Sequence, residues 1–411
     1  AAFRILAPED VFQVLEQAIH AALAAPAGPV SVEIPIDVQQ AEVKQRRLNT
    51  VVVKSVQPQS LDELVERLSK AKRPLLWLGG GARDAGSAVR RLVDLGFGVV
   101  TSVQGRGILP EDHPMSLGAF QLNYENFFSN CDALLVVGSR LRSNETLGYR
   151  LKLPKPLYRI DAEPSRAAHP YEADLFITGD SRLTLEVLAQ RLSGLRIDPG
   201  FSKDLQAARQ AAEVQARAGL RPYDALVDEL QRLAGRDFVW VRDVTISNST
   251  WGNRLLRIYG PRDGVHALGG GIGLGLPMAI GAAIGSNRKT ICLVGDGGLQ
   301  LSLGELATLV QEKVDVVVVL MNDRGYGVIR NIWDAQYGGR RAYSDLHTPD
   351  FAKLAQAISL KYLRIHERTG FPSALKEAFA QRGPVLVEVD MVAVGPYTAT
   401  FAGPPVRKVE A

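Results

Sequence analysis

Cysteine is nearly absent: Cys131 and Cys292 are the only two in 411 residues. Each adjoins a strand-like run ("CDALLVVG", "TICLVG") and reads as a small buried hydrophobe. That leaves no disulfide framework and no zinc-type cysteine spacing, which fits a reducing cytoplasm. The six histidines never pair at i,i+4, so a helical zinc motif is missing too. Lys and Arg occur in short groups such as "KQRR" and "GGRR", with no basic stripe interleaved with aromatics. A formal charge of +4 therefore makes no case for nucleic-acid binding. The segment 264–285, "GVHALGGGIGLGLPMAIGAAIG", lacks Asp, Glu, Lys and Arg. A membrane span needs about 20 mostly apolar residues. Here glycines crowd the first half and Pro277 interrupts, so only 277–285 reads as helix and no span is expected.

What remains is the composition of a soluble globular protein, 46% hydrophobic and 22% charged, long enough for two or three domains. Residues 8–25 have helical periodicity through Val11, Leu15, Ile19 and Leu23, and "GPVSVEIPID" (28–37) reads as a strand. One helix and one strand cannot bury their own apolar faces, so 1–40 reads as the close of a domain. A polar linker covers 41–58. Over 59–195 strands ("PLLWL", "GVVTSV", "ALLVVG", "LYRID") alternate with helices ("AGSAVRRLVDLG", "SRLTLEVLAQRL"). That rhythm predicts an α/β domain with a parallel sheet and helices on both faces. A helical connector follows at 196–220. A second α/β domain spans 221–395, with strands "DFVWVRDV", "TICLVGD", "VDVVVVLMND" and "PVLVEVD", and 396–411 is a tail. "LGGGARDAGSAV" lies between a strand and a helix. Gly79, Gly81 and Gly86 do not fit GxGxxG, however, and no Walker lysine is present, so a tight turn is the expectation and nicotinamide binding is disfavoured.

The informative stretch is "VGDGGLQLSLGELATLVQEKVDVVVVLMNDRGYG", 294–327. Two apolar strands end in Asp296 and Asp323, 27 positions apart, and a helix beginning near Ser302 returns the chain between them. If the strands are adjacent, the two carboxylates converge at the carboxyl edge of a parallel sheet, where open α/β folds bind ligands. Such a pair either raises one pKa or holds a cation. Neighbouring glycines allow close approach of backbone groups. A helix start favours phosphate. The residues thus point to a hard cation and a diphosphate, set against two ordinary Asp-Gly turns.

GDG followed by Asn322-Asp323 and then Tyr326-Gly327 resembles the thiamine-diphosphate signature. "HALGGGIGLGLPMAIGAA" is similar to the glycine-rich segment of the acetolactate synthase, benzoylformate decarboxylase and pyruvate oxidase family, and "AGPVSVEIPIDVQ" to the close of its pyrimidine-binding domain. "RPLLWLGGG" through "ITGDSRLTLEVL", including "GRGILPEDHPMSLG", resembles its central domain. The resemblance implies thiamine diphosphate and Mg²⁺ as cofactors, with Asp296, Asp323 and the Gly325 carbonyl as metal ligands. Asp323 stands where the family usually has Asn. Gly297, Gly298 and Tyr326 would face the diphosphate, with Thr245 a weaker match. Ile272 would wedge the cofactor into a V shape, and the Gly270 carbonyl would accept from its aminopyrimidine.

The implied activity is cleavage or formation of a C–C bond next to a carbonyl, with a small 2-oxo acid as substrate and a homodimer or homotetramer as the assembly. Where the synthase branch has "RFDDRVTG" and "LGMLGMHG", this chain has "RLRSNETLG" and "LGAFQLN". That disfavours FAD and favours a decarboxylase or carboligase, although "YGGRRAYSDLHTPDFAKLAQA" still resembles the synthases. A non-catalytic cofactor-binding paralogue stays open. Trp251, Arg330, Trp333, Tyr337, Arg340 and Arg341 are candidates for a substrate entrance, with packing or surface roles as the alternative. The family's activating glutamate belongs to the pyrimidine-binding domain and matches no residue here. The expectation is therefore a partial chain, inactive alone.

Overall fold

Two six-stranded, wholly parallel sheets organise the chain in the computed structural model, which describes residues 1–49, 51, 55–119, 124–168, 170–267, 269–399 and 401. A short parallel pair comes first, β1 (Ala2–Arg4) and β2 (Ser31–Glu33), flanking the helix Val11–Leu23. The strand expected over 28–37 is only these three β2 residues. Pro35 ends it, and Ile36–Gln40 turns into a short helix.

The first large sheet contains β3 (Pro74–Leu78), β4 (Gly98–Thr101), β5 (Ser116–Ala119), β6 (Ala133–Val137), β7 (Leu157–Asp161) and β8 (Leu175–Thr178). Its order is β5-β4-β3-β6-β7-β8. Every residue of β3, β4 and β6 is buried, because helices cover both faces. One of them, Phe201–Ala218, places Phe201, Leu205 and Ala212 in the same cluster as Leu75 and Trp77. The glycine turn after β3 is a packing device. A Cβ on Gly79 would stand 2.2 Å from the Gly138 carbonyl oxygen, so the loops following β3 and β6 touch backbone to backbone. Both cysteines are buried and unpaired, and burial pushes the Cys131 thiol up to about 12.

The second sheet contains β9 (Val239–Arg242), β10 (Gly264–His266), β11 (Thr290–Gly295), β12 (Val316–Asn322), β13 (Lys361–Ile365) and β14 (Val385–Asp390). Its order is β10-β9-β11-β12-β14-β13. The edge strands β10 and β13 carry no continuous apolar run, which is why the sequence pattern does not announce them. The glycine-rich segment feeds the helix Gly275–Ser286, with Pro277 in its first turn, where no intrahelical N–H is needed. No helix among the described residues is long and apolar enough to cross a membrane. Instead of one helix from Ser302, the chain turns helical directly at Asp296 (Asp296–Leu301) and again over Glu305–Gln311.

A buried ion pair joins the two sheets. Arg106 Nε and Nη2 meet the Glu111 carboxylate at 2.6 and 2.7 Å. The same guanidinium donates to the carbonyls of Asn253 and Leu256, while Glu111 accepts from Ile258 N at 2.8 Å.

Candidate functional site

The chain leaves β9 for β10 on one side, whereas β11 and β12 run to the other, so the carboxyl ends of β9 and β11 flank a topological switch point. Three acidic residues follow three neighbouring strand ends: Asp243 after β9, Asp296 after β11 and Asp323 after β12. Gly295 is in register with Met321, so Asp296 and Asp323 leave adjacent strands at the same edge.

Asp296 is 1% exposed, and neither carboxylate oxygen has a hydrogen-bond partner. Burial first, and the Asp323 carboxylate second, hold its pKa well above the usual range. Burial raises Asp323 too, against the pull of the Arg330 guanidinium. Two close carboxylates, one with both oxygens buried and partnerless, are a costly arrangement that a hard cation relieves. The donor set therefore fits a divalent metal.

The glycines around this pair form a cradle. A Cβ on Gly297 would lie 2.5 Å from the Tyr326 ring, and one on Gly298 2.9 Å from Asp243 Oδ2. Thr245 is buried against Gly295. Gly325 is tighter still, since an added Cβ would meet Arg330 Nη2 at 1.9 Å and the Ser344 carbonyl oxygen at 2.4 Å. The loop carrying Gly270 and Ile272 is tethered by Asp243, whose Oδ2 accepts from Gly273 N and Gly275 N, both at 3.0 Å. Gly270 and Gly273 have φ of +74° and +84°, conformations that suit glycine. Ile272 between them is half-buried and outside the core clusters. The close backbone packing at these glycines and the carboxylate pair together suit a metal-bound diphosphate.

The sequence reading missed Asp243, although it ends an apolar strand as Asp296 and Asp323 do. The entrance residues divide. Trp251 is fully buried, stacked on Trp240 at 5.8 Å and bonded to the Tyr397 hydroxyl, so it belongs to the core. Arg330 folds back to donate to the Asp323 and Arg324 carbonyls and to pair with Asp345. Arg341 is paired with Asp334, and Trp333 packs edge-on against Tyr337. Arg340 is exposed. A cavity of about 340 Å³ opens beside Asp323, lined by Ile246, Arg330, Asn331, Arg341 and Tyr397. Of the "LGAFQLN" segment, 120–123 lie outside the described residues, as do Leu268 and most of the 396–411 tail.

Residues 61–188 match the thiamine pyrophosphate enzyme central domain, and residues 245–389 match the C-terminal TPP binding domain. A probable 2-ketoarginine decarboxylase from Pseudomonas aeruginosa is 32% identical over 403 residues, 93% of this chain and 70% of the relative. The chain belongs to the thiamine-pyrophosphate enzyme family. Acetolactate synthases are similar as well. The isozyme 3 large subunit of Escherichia coli is 29% identical, covering 96% of this chain and 73% of its own length. The acetolactate synthase of Arthrospira platensis is 27% identical, covering 93% of this chain and 71% of its own length. The protein is accordingly a thiamine-diphosphate-dependent enzyme of the acetolactate synthase and 2-oxo acid decarboxylase type, making or breaking a C–C bond beside a carbonyl.

Proposed function

We propose that the protein acts on a small 2-oxo acid as a decarboxylase or carboligase. In this reading Mg²⁺ is held by Asp296, Asp323 and the Gly325 carbonyl at the β11–β12 edge. The observation that carries it is Asp296, buried beside Asp323 with both oxygens partnerless. Gly297, Gly298 and Tyr326 would border the diphosphate, Thr245 would support it from below, and Gly270 and Ile272 would face the organic part. When bound, thiamine diphosphate supplies a nucleophilic carbon and accepts the electron pair released as the C–C bond breaks. The protein's own part is to anchor the diphosphate through the metal, keep the Ile272 loop against it and exclude water. A homodimer or homotetramer is the assembly we infer, from the likeness to acetolactate synthases.

The named decarboxylase relative supports the first reading, and the synthase relatives support acetolactate synthase-type carboligation as the second. Mg²⁺-dependent thiamine diphosphate titration followed by product analysis over a panel of 2-oxo acids separates them. Aldehyde as the main product supports the decarboxylase, and acetohydroxy acid the synthase. A protein that binds no thiamine diphosphate at saturating Mg²⁺ would overturn both. Flavin absorbance in the purified protein would bring back the FAD-containing synthase.

A further inference from the structure

We propose that Glu388 is a positioning residue for the metal-binding loop, acting through the side-chain amide of Asn322. The inference rests on the reading of Asp296 and Asp323 as metal ligands. Its starting point is an anomaly in β14, where Glu388 is an acid inside a strand whose six residues are all buried. A carboxylate in that position needs compensation. Among the described residues no cation forms a direct ion pair with Glu388, which is 5% exposed; Arg364 lies in register on β13 but pairs with Asp390. Its Oε1 accepts from Asn322 Nδ2 at 2.7 Å, and its Oε2 accepts from the Tyr362 hydroxyl.

The consequence falls on Asn322, the last residue of β12. With Nδ2 committed to Glu388, its Oδ1 must face the other way, and it accepts from Arg324 N at 3.2 Å. Asp323 lies between these two bonded residues. Arg324 holds φ = +56°, a conformation uncommon for a residue with a side chain, and the bond from Asn322 secures it. Arg330 fixes the same turn from outside by donating to the Asp323 carbonyl at 2.9 Å. The direction in which Asp323 leaves the sheet is thus set by a carboxylate on the neighbouring strand. Mg²⁺ demands near-octahedral oxygen geometry, so a loop that swings loses affinity even with its ligands intact.

The competing role for Glu388 is to hold β14 between β12 and β13 and nothing more. Metal affinity distinguishes the two. Mn²⁺ serves as the probe, titrated into the protein with thiamine diphosphate and read by the loss of the free-ion paramagnetic signal. Glu388→Leu should weaken Mn²⁺ binding by about 10–100-fold, the range for residues that orient metal ligands. Glu388→Gln should restore it, because the glutamine oxygen still accepts from Asn322 while its NH₂ group turns to the Tyr362 oxygen. Tyr362→Phe should bind Mn²⁺ like the parent. Equal Mn²⁺ affinity in the parent and Glu388→Leu overturns the proposal, and so does a Gln variant as weak as Leu. If Glu388→Leu does not fold, Asn322→Ala cuts the same relay and must show the same loss. Asp296→Ala is the control on the underlying assignment. Unchanged Mn²⁺ affinity there rejects the ligand reading, whereas loss there with retention in Glu388→Leu rejects only the role of Glu388.

Discussion

Asp296 and Asp323 leave adjacent parallel strands at one edge, with Gly295 and Met321 directly opposite each other in register. Neither position is remarkable alone as an Asp at a strand end. Together they put two carboxylates side by side where burial raises both pKa values and the Asp323 charge raises that of Asp296 further. Asp296→Ala should reduce Mg²⁺-dependent thiamine diphosphate affinity by more than the roughly 10–100-fold that loss of a supporting residue costs. Asp323→Asn should be mild, because an amide oxygen still coordinates. Calorimetric titration checks both, and unchanged affinity in a folded Asp296→Ala protein rejects the site.

Ile272 lies half-buried in a loop anchored by Asp243, outside the core clusters. Ile272→Ala should therefore leave the melting temperature nearly unchanged. It should lower turnover more than cofactor affinity, since the metal and diphosphate anchor independently. A larger loss in affinity than in kcat would remove the wedge role.

Glu111 is the counter-charge of Arg106 at the junction of the two sheets, and both side chains are almost fully buried. Removing one partner leaves an uncompensated charge in the interior. Glu111→Ala should cost roughly 3–5 kcal/mol in urea unfolding, whereas breaking the solvent-exposed pair Lys70–Glu66 should cost far less. Equal costs at the two sites would show that the junction pair is not holding the sheets together.

His266 is held neutral. Burial, then the Arg242 guanidinium, push its pKa down to about 4, while its Nδ1 contacts the Arg242 carbonyl at 3.0 Å. In the unfolded chain it titrates near 6.5. Below that pH the unfolded state binds a proton that the folded state refuses, so stability is full above about 6.5 and falls as pH drops towards 4. At pH 5 the loss is about 2 kcal/mol. A His266→Asn variant should lose less stability between pH 7 and pH 5 than the parent, measured by urea unfolding at each pH. Parallel pH profiles would contradict it.

Much of this protein is written locally. The apolar runs of β3, β6, β11, β12 and β14 end in glycine or acid, and a buried strand in a parallel sheet needs that composition whatever surrounds it. The spacing from Asp296 to Asp323 is that of a strand, a crossover and a strand, so it carries the pairing of two ligands with it. Other features have no local signature. Trp251 reads as an entrance residue until Trp240 and Tyr397 enclose it. Arg330 reads as a substrate-entrance candidate until the turn it holds is seen. Edge strands β10 and β13 form because a neighbour offers a ladder, not because their own residues demand one. The hydrogen bonds of Asp243 to Gly273 and Gly275, and of Glu388 to Asn322, join residues some 30 and 66 positions apart. Sequence determined which groups are present and which must be buried. Which polar group meets which was decided only by the order of the strands, because a buried donor takes the acceptor that topology brings within reach.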